Sequence, residues 1–338
     1  MYRTSPADAP VVREPLHAPV AHLVRGGIVE GVHYGSVAVL GTDGEVHFQL
    51  GDIEAAFYPR SALKPVQAVA MVRAGLPLDG GLLSLAAASH SGQEQHLAGA
   101  RRILELGGCG EDDLRNVPDM PLDPVERDAW VRAGRPPSRL AQNCSGKHAA
   151  MLCTAQLNGW SLDDYLDPAH PLQQAIAETV EDLTGQRVAK VTVDGCGAPL
   201  FSVSLHGLAR ATARIATAAP GTPEARVADA MREHAEMASG SGRDVAELMR
   251  AVPGLLAKDG YEGVEAAALP DGRAIAVKIA DGATRARIPV AAAALGRAGV
   301  DPALLTAFAG EPLLGGGKAV GSIRPVRALD SLPVTADA

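Results

Sequence analysis

The chain has 338 residues, of which 47% are hydrophobic and 21% are charged, so it can form one large core or two modest ones. The formal net charge is -8 and the sequence contains no basic stripe, which argues against nucleic-acid binding. No apolar stretch approaches the ~20 residues that a bilayer-spanning helix needs. No signal-peptide pattern is present either, so we expect a cytoplasmic protein without a membrane segment.

The chain begins with residues 1–20, which are rich in proline and polar residues and are expected to form a flexible tail. A β-hairpin follows between about residues 33 and 50, because Asp43-Gly44 separates two alternating apolar runs. A second hairpin is predicted over residues 263–280, turned at Pro270-Asp271-Gly272. The apolar runs Leu82–Ala88 and Val188–Val193 are predicted as short strands.

Apolar residues at helical spacing fill most of the chain between the two hairpins. Helices are predicted at residues 65–74, 93–106, 124–133, 147–157 and 172–183, with two more within 221–251 and one near 289–298. This order predicts an α+β fold with an antiparallel sheet built from both chain ends and a helical insertion. We expect a single domain over 21–330, with the sheet from about 25–60 and 263–325 and the helical part from about 92–250.

Lysine is scarce in this chain, with six lysines among 31 basic residues. Where a surface only needs a cation, the chain uses arginine. A chemical role is therefore expected for the few lysines, because a buried lysine can lose its proton and an arginine cannot. Ser61 and Lys64 form the only S-x-x-K motif and lie on one face of a helical turn. A lysine amine can activate a serine hydroxyl as a nucleophile. Pro65 disfavours an α conformation at Lys64, which predicts a 3₁₀-like turn at Ser61.

The Ser61 motif also has a purely structural interpretation, in which Ser61 caps a helix and Lys64 is solvated. A similar choice arises at Ser89-His90-Ser91, which follows an apolar run and precedes a helix. Ser91 fits a helix cap. Ser89 can be either a second hydroxyl serving the nucleophile or a structural residue.

Three residues form a candidate metal site. Cys144 and Lys147 are three residues apart at a helix start, and Cys196 lies between two glycines at the end of a strand. Two thiols and a neutral amine can bind a soft divalent ion such as zinc. Buried structural thiols or a disulfide would also explain the cysteines.

Eight segments of the chain, taken in order across roughly residues 20–325, resemble the bacterial asparaginase II family, the rhizobial-type L-asparaginases. The matching segments are Arg25–His33, Arg60–Gln67, Ala88–His96, Asn143–Leu152, His170–Gln173, Asp194–Pro199, Ala257–Val264 and Val277–Gly282. Each is weak alone, and their shared order carries the resemblance.

The resemblance implies a fold similar to serine β-lactamases and penicillin-recognising enzymes, and hydrolysis of L-asparagine to L-aspartate and ammonia. It implies a homodimer and two serine–lysine pairs, Ser61 with Lys64 and Ser89 with Lys278. It also implies one zinc ion per subunit on Cys144, Lys147 and Cys196. The positions that it implies for substrate binding are Arg60, His148 and Asp194.

Some alternatives remain open at this stage. Either serine could attack first, and zinc could be catalytic or structural. The protein could be a related serine amidohydrolase such as a glutaminase, or a penicillin-recognising enzyme. A non-catalytic zinc-binding protein of the same fold is the alternative from a different class, but it would not need both serine–lysine pairs.

Overall fold

A computed structural model describes residues 9–329 of the chain. Within this part, eight strands form one antiparallel sheet in the order β6-β7-β8-β2-β1-β10-β9, with β3 paired to β2, and β4 and β5 form a separate ladder. The strands are β1 Ala18–Arg25, β2 Ile28–Leu40, β3 Val46–Leu50, β4 Val191–Val193, β5 Pro199–Phe201, β6 Leu256–Gly260, β7 Val264–Ala268, β8 Ala274–Ile279, β9 Glu311–Gly315 and β10 Lys318–Pro325. The sheet therefore joins both ends of the described chain.

The helices lie mainly between β3 and β6. They are α1 Lys64–Arg73, α2 Gly80–Ala86, α3 Glu94–Leu106, α4 Pro124–Arg132, α5 Ser145–Leu157, α6 Pro171–Thr184, α7 Leu205–Ala216, α8 Pro223–Glu233, α9 Ala235–Ala238, α10 Asp244–Ala251, α11 Arg287–Arg297 and α12 Pro302–Leu305. Within residues 9–329, no helix combines the length and the apolar character needed to span a membrane.

Helices α7 and α11 pack directly on the sheet, against β2, β7 and β8. Every residue of β7 is buried, which is typical of a strand covered on both faces. Its three consecutive alanines leave room for close helix packing. Helices α1, α2, α3, α5, α6 and α8 pack on one another, and one apolar core continues from the sheet into this helical part.

The α+β class with a sheet built from both chain ends is confirmed. Both predicted hairpins form, as β2–β3 and β7–β8. The predicted 3₁₀ turn at Ser61 spans Arg60–Leu63. Lys64 nevertheless adopts an α conformation in front of Pro65, because the proline occupies the first turn of α1, where its missing N–H is tolerated.

Three expectations about the elements are wrong. The run Leu82–Ala88 belongs largely to helix α2, because a short apolar run does not distinguish a buried helix from a buried strand. Helix α7 was not predicted, and the region 221–251 contains three helices instead of two.

The predicted tail at residues 1–20 also needs correction. Residues 18–20 belong to β1, a strand enclosed between β2 and β10. Before it, the Val11 carbonyl accepts a hydrogen bond from Ala56, and the Leu16 carbonyl accepts one from Asp52. Residues 9–17 are thus held along the loop that follows β3, whereas residues 1–8 lie outside the described part of the chain.

Candidate active site

Ser61 lies in a strained turn at the edge of the sheet. The residue before it, Arg60, has a φ of 53°, and it is the only non-glycine residue with positive φ in the described range 9–329. Such backbone strain concentrates at functional sites. A Cβ atom at Gly260 would lie 2.3 Å from the Pro59 carbonyl oxygen, so only glycine lets edge strand β6 approach this closely. The approach brings Lys258 and Asp259 to the same region as the serine.

Lys64 connects three parts of the site. Its side chain is buried, and its Nζ donates to the Ala88 carbonyl at 2.5 Å, to the Ser89 Oγ at 3.1 Å and to the Cys144 Sγ at 3.1 Å. The Ser61 hydroxyl, half-buried one turn earlier, has no hydrogen-bond partner within the described chain. Lys64 therefore pairs directly with Ser89, and Ser61, in the turn that precedes Lys64, keeps a hydroxyl without a hydrogen-bond partner among residues 9–329.

The structure does not bring Ser89 and Lys278 together. Lys278 Nζ donates to the carbonyls of Glu262 and Ile279, each at 2.7 Å, and its side chain lines a cavity to which Ser89 does not contribute. Lys278 lies on β8, with β7 between it and the edge strand β6. Strand order, which the motif alone does not contain, decides which lysine reaches the site.

The lysine that does lie at the site is Lys258 on β6, which our sequence reasoning did not single out. It is buried beside Asp259, donating to the Asp259 carbonyl at 2.9 Å and to its carboxylate. Burial and the charge of Lys64 lower the pKa of Lys258, whereas the Asp259 carboxylate raises it, and burial has the largest effect. Two features of the sequence could have pointed to Lys258. It lies in the matched segment Ala257–Val264, and lysine is scarce in this chain.

Arg243 holds these parts together. Its guanidinium donates to the Ser89 carbonyl at 3.1 Å and to the Asp259 carboxylate at 2.9 Å. Burial alone would raise the pKa of Asp259, but the charges of Lys258 and Arg243 hold it well below its usual range. Asp259 is therefore a permanent anion between cations, which fixes the position of β6 relative to Ser89.

The three predicted metal ligands converge. Cys144 precedes α5, Lys147 lies in its first turn, and Lys147 Nζ is 3.2 Å from the Cys196 Sγ. All three side chains are buried. A hydrogen bond shared with Cys144 and the charge of Lys147 hold the pKa of Cys196 well below its usual range, although burial alone would raise it. The same bond and burial raise the pKa of Cys144 to about 12. Of the two thiols, Cys196 is thus the one that loses its proton more readily, and it lies beside Lys147.

This donor set fits a soft divalent ion such as zinc, because two sulfur atoms and one amine nitrogen face one another in a buried position. The described residues contain no cluster of three or more His, Cys, Asp or Glu side chains arranged for a metal. A metal here would therefore depend on the lysine as third ligand.

Arg60 and Asp194, both predicted to bind substrate, form an ion pair beside Ser61. Asp194 also accepts a hydrogen bond from the Gly195 backbone at 2.8 Å. Burial would raise the pKa of Asp194, but the Lys147 and Arg60 charges lower it below its usual range. The pair offers one positive and one negative group next to the free hydroxyl.

His148 is fully buried, and its Nδ1 lies 2.8 Å from the Tyr165 hydroxyl, which accepts a hydrogen bond from the Arg115 backbone. The contact with Tyr165 orients the ring from the interior. Burial and the Lys147 charge hold the pKa of His148 well below its usual range. His148 thus has a supporting contact in the interior and, among the described residues, no hydrogen bond to Arg60 or Asp194.

Comparisons with known proteins identify the class. The family model described as L-asparaginase II matches residues 21–325. The chain therefore belongs to the L-asparaginase II family. A search of curated proteins found no significant match.

Similar solved structures include Mglu in its native form, with 18% identity over 72% of this chain and 58% of that chain, and a TM-score of 0.40. The chain thus matches less than two thirds of Mglu. EstCE1, a hydrolase with promiscuous acyltransferase activity, is 15% identical over 82% of this chain and 93% of its own, with a TM-score of 0.42. A β-lactamase from Mycobacterium bovis is 16% identical over 78% and 94% of the two chains, with a TM-score of 0.40. Similarities at this level say nothing about which reaction the present chain catalyses.

Proposed function

We propose that the protein is an L-asparaginase, which hydrolyses the side-chain amide of L-asparagine to L-aspartate and ammonia through a serine nucleophile. The observation that carries the proposal is the buried Lys64 amine, which forms a hydrogen bond with Ser89. Lys64 follows the turn that contains Ser61, whose hydroxyl has no hydrogen-bond partner among residues 9–329. Membership in the L-asparaginase II family supports the substrate.

The Arg60–Asp194 pair suits the α-amino acid end of the substrate. The guanidinium of Arg60 can receive the α-carboxylate, and the Asp194 carboxylate can receive the α-ammonium. The ion pair fixes both groups, with the Asp194 side chain largely buried and the Arg60 side chain partly exposed. The side-chain amide is then directed toward Ser61, the neighbour of Arg60 in sequence.

In the proposed reaction, a neutral Lys64 amine accepts the proton of the Ser61 hydroxyl as the oxygen attacks the amide carbon. The resulting ammonium returns the proton to the leaving nitrogen, and ammonia departs. Water then attacks the acyl-enzyme ester, its proton passes through Ser89 and Lys64 to the departing Ser61 oxygen, and L-aspartate is released. Lys258 contributes positive charge near the developing oxyanion.

Cys144, Lys147 and Cys196 would hold a zinc ion, with the lysine deprotonated by the metal charge. Zinc would supply a fixed positive charge that organises the pocket. This charge would lie close to Asp194, one of the groups proposed to bind substrate, because the Cys196 Sγ is 4.0 Å from its carboxylate.

A substrate panel tests the assignment, with ammonia release measured for L-asparagine and L-glutamine, and product formation measured by mass spectrometry for a β-aspartyl dipeptide and a penicillin, whose hydrolysis releases no ammonia. L-Asparagine should give a kcat/KM well above those of the other three. A preference for L-glutamine would assign the protein as a glutaminase, and turnover of penicillin alone would assign a penicillin-recognising enzyme.

We further propose a cytoplasmic homodimer, and light scattering coupled to size-exclusion chromatography should give twice the mass of the 338-residue chain.

A further inference from the structure

A cavity of about 190 Å³ lies between the segment before β1, strands β2 and β8, and the loop after β3. Its polar wall is formed by His17, Ser36, Asp52 and Lys278, and Phe57 and Leu205 are among its apolar lining residues. None of its lining residues hydrogen-bonds to Lys64, and Ser89 and Cys144, the side chains that Lys64 contacts, do not line it. The cavity is therefore separate from the candidate active site.

Three polar groups meet on one wall of this cavity. Ser36 and Lys278 are direct partners across β2 and β8. His17 Nδ1 lies 3.0 Å from the Ser36 Oγ, and the serine is buried. Gly51 has a φ of 64°, and a Cβ atom there would lie 2.6 Å from the Ser36 Oγ. The loop after β3 therefore closes over Ser36 only because glycine occupies this position.

The charge balance of the cavity favours an anion. Lys278 donates two hydrogen bonds, both to backbone carbonyls, and no carboxylate in residues 9–329 forms a salt bridge with it. Its third donor is therefore available, and the Glu262 and Asp281 carboxylates attract its charge without forming a salt bridge with it. Asp52, the acidic group in the wall, is paired with Arg13 at 2.7 Å through its Oδ2, and its Oδ1 accepts hydrogen bonds from the backbone N–H groups of Glu54 and Ala55.

We propose that this cavity binds a small organic carboxylate, with the carboxylate held by Lys278 and the His17–Ser36 pair and a short apolar tail against Phe57 and Leu205. A water molecule occupies ~30 Å³ of liquid, so the cavity has room for about six waters or an acid of roughly six heavy atoms. This site does not depend on the proposed amide hydrolysis, because it shares no group with that reaction.

Calorimetric titration of the full chain with sodium butyrate tests the site. Butyrate fits the estimated size, and butanamide has the same shape without the charge. We expect butyrate to bind at least about 10-fold more tightly than butanamide, since a charge-assisted hydrogen bond is lost in the amide. n-Butylamine should not bind.

Variants then place the ligand. Lys278→Met keeps the aliphatic stem and should weaken butyrate binding by about 10-fold or more, and Ser36→Ala should weaken it several-fold. Lys190→Met removes an exposed lysine and should leave binding unchanged. Arg60→Met should also leave it unchanged, because that residue lies in the other site.

Several outcomes would overturn the proposal. These are no saturable butyrate binding, equal binding of butyrate and butanamide, or binding lost in Arg60→Met but kept in Lys278→Met. Circular dichroism checks that each variant folds. If Lys278→Met does not fold, the comparison of butyrate with butanamide on the unaltered protein and the Ser36→Ala result decide.

Discussion

The Lys64 Nζ atom lies 3.1 Å from the Ser89 Oγ atom and a further 3.1 Å contact joins it to the Cys144 Sγ atom. One amine thus links the second serine of the site to the first of the proposed metal ligands. Ser61 begins the turn that leads into the same helix. This arrangement makes Lys64 the centre of the proposed chemistry.

Lys64→Met should reduce kcat for L-asparagine by about 100-fold or more, because general-base catalysis contributes about that much. The variant keeps the volume of the stem but leaves the Ala88 carbonyl and Ser89 without their donor. Steady-state ammonia release measures the effect, and circular dichroism confirms the fold. Activity within a few-fold of the unaltered protein would exclude Lys64 as the base.

Lys258→Met and Lys278→Met form a matched pair that tests the corrected assignment of the second lysine. Lys258 lies buried at the site edge, so its loss should reduce kcat/KM by about 100-fold. Lys278 faces the separate cavity, so its loss should change kcat/KM by no more than a few-fold. The reverse ranking of the two variants would restore the original pairing of Ser89 with Lys278.

Strand order explains why the resemblance gave Lys278 as the partner of Ser89. Both lysines lie in segments that carry the family resemblance, and only Lys278 lies within a predicted hairpin. The choice depends on β6 being the edge strand next to the Ser61 turn, a contact made possible by Gly260. Hairpins and periodic helices follow from local patterns, which is why β2–β3, β7–β8 and α3 could be predicted. The pairing of distant strands is not encoded locally.

The convergence of Cys144, Lys147 and Cys196 was predicted through the resemblance, and the structure brings these side chains together. The Arg60–Asp194 ion pair was not anticipated as a contact, although both residues were named. The two residues are far apart in sequence, and only the folded chain shows that they neutralise each other beside Ser61.

Cys196→Ser should lower the zinc content of the purified protein from about one ion per chain to a small fraction, because serine is a much weaker ligand for this ion. Elemental analysis by mass spectrometry measures it. Cys109→Ser, which alters a half-buried thiol outside the cluster, should leave the zinc content unchanged. A metal-free unaltered protein whose activity and melting temperature do not respond to a chelator would reject the zinc proposal.

Stability should fall in mild acid because of His90. The ring is fully buried, and burial, reinforced by the charges of His96 and Lys64, holds the pKa of His90 well below its usual 6.5. Below about pH 6.5 the unfolded chain therefore binds a proton that the folded chain does not, and the free energy of unfolding decreases as pH falls. One such histidine contributes a slope of up to about 1.4 kcal/mol per pH unit.

Urea unfolding between pH 6.5 and 5 measures this slope. His90→Gln should reduce it by about one such increment, whereas His47→Gln, which removes an exposed histidine, should leave it unchanged. An identical slope in His90→Gln and the unaltered protein would contradict the assignment.

The proposed mechanism is tested most directly by comparing ammonia release from L-asparagine in Ser61→Ala and Ser89→Ala. Ser161→Ala, which alters an exposed serine, is the control. Loss of a serine nucleophile typically lowers kcat by about 10⁴-fold or more. We predict that loss for Ser61→Ala, a smaller reduction for Ser89→Ala in which mass spectrometry still detects the acyl-enzyme, and full activity for the control. Full activity in Ser61→Ala, or an acyl group found on Ser89 instead of Ser61, would contradict the central claim.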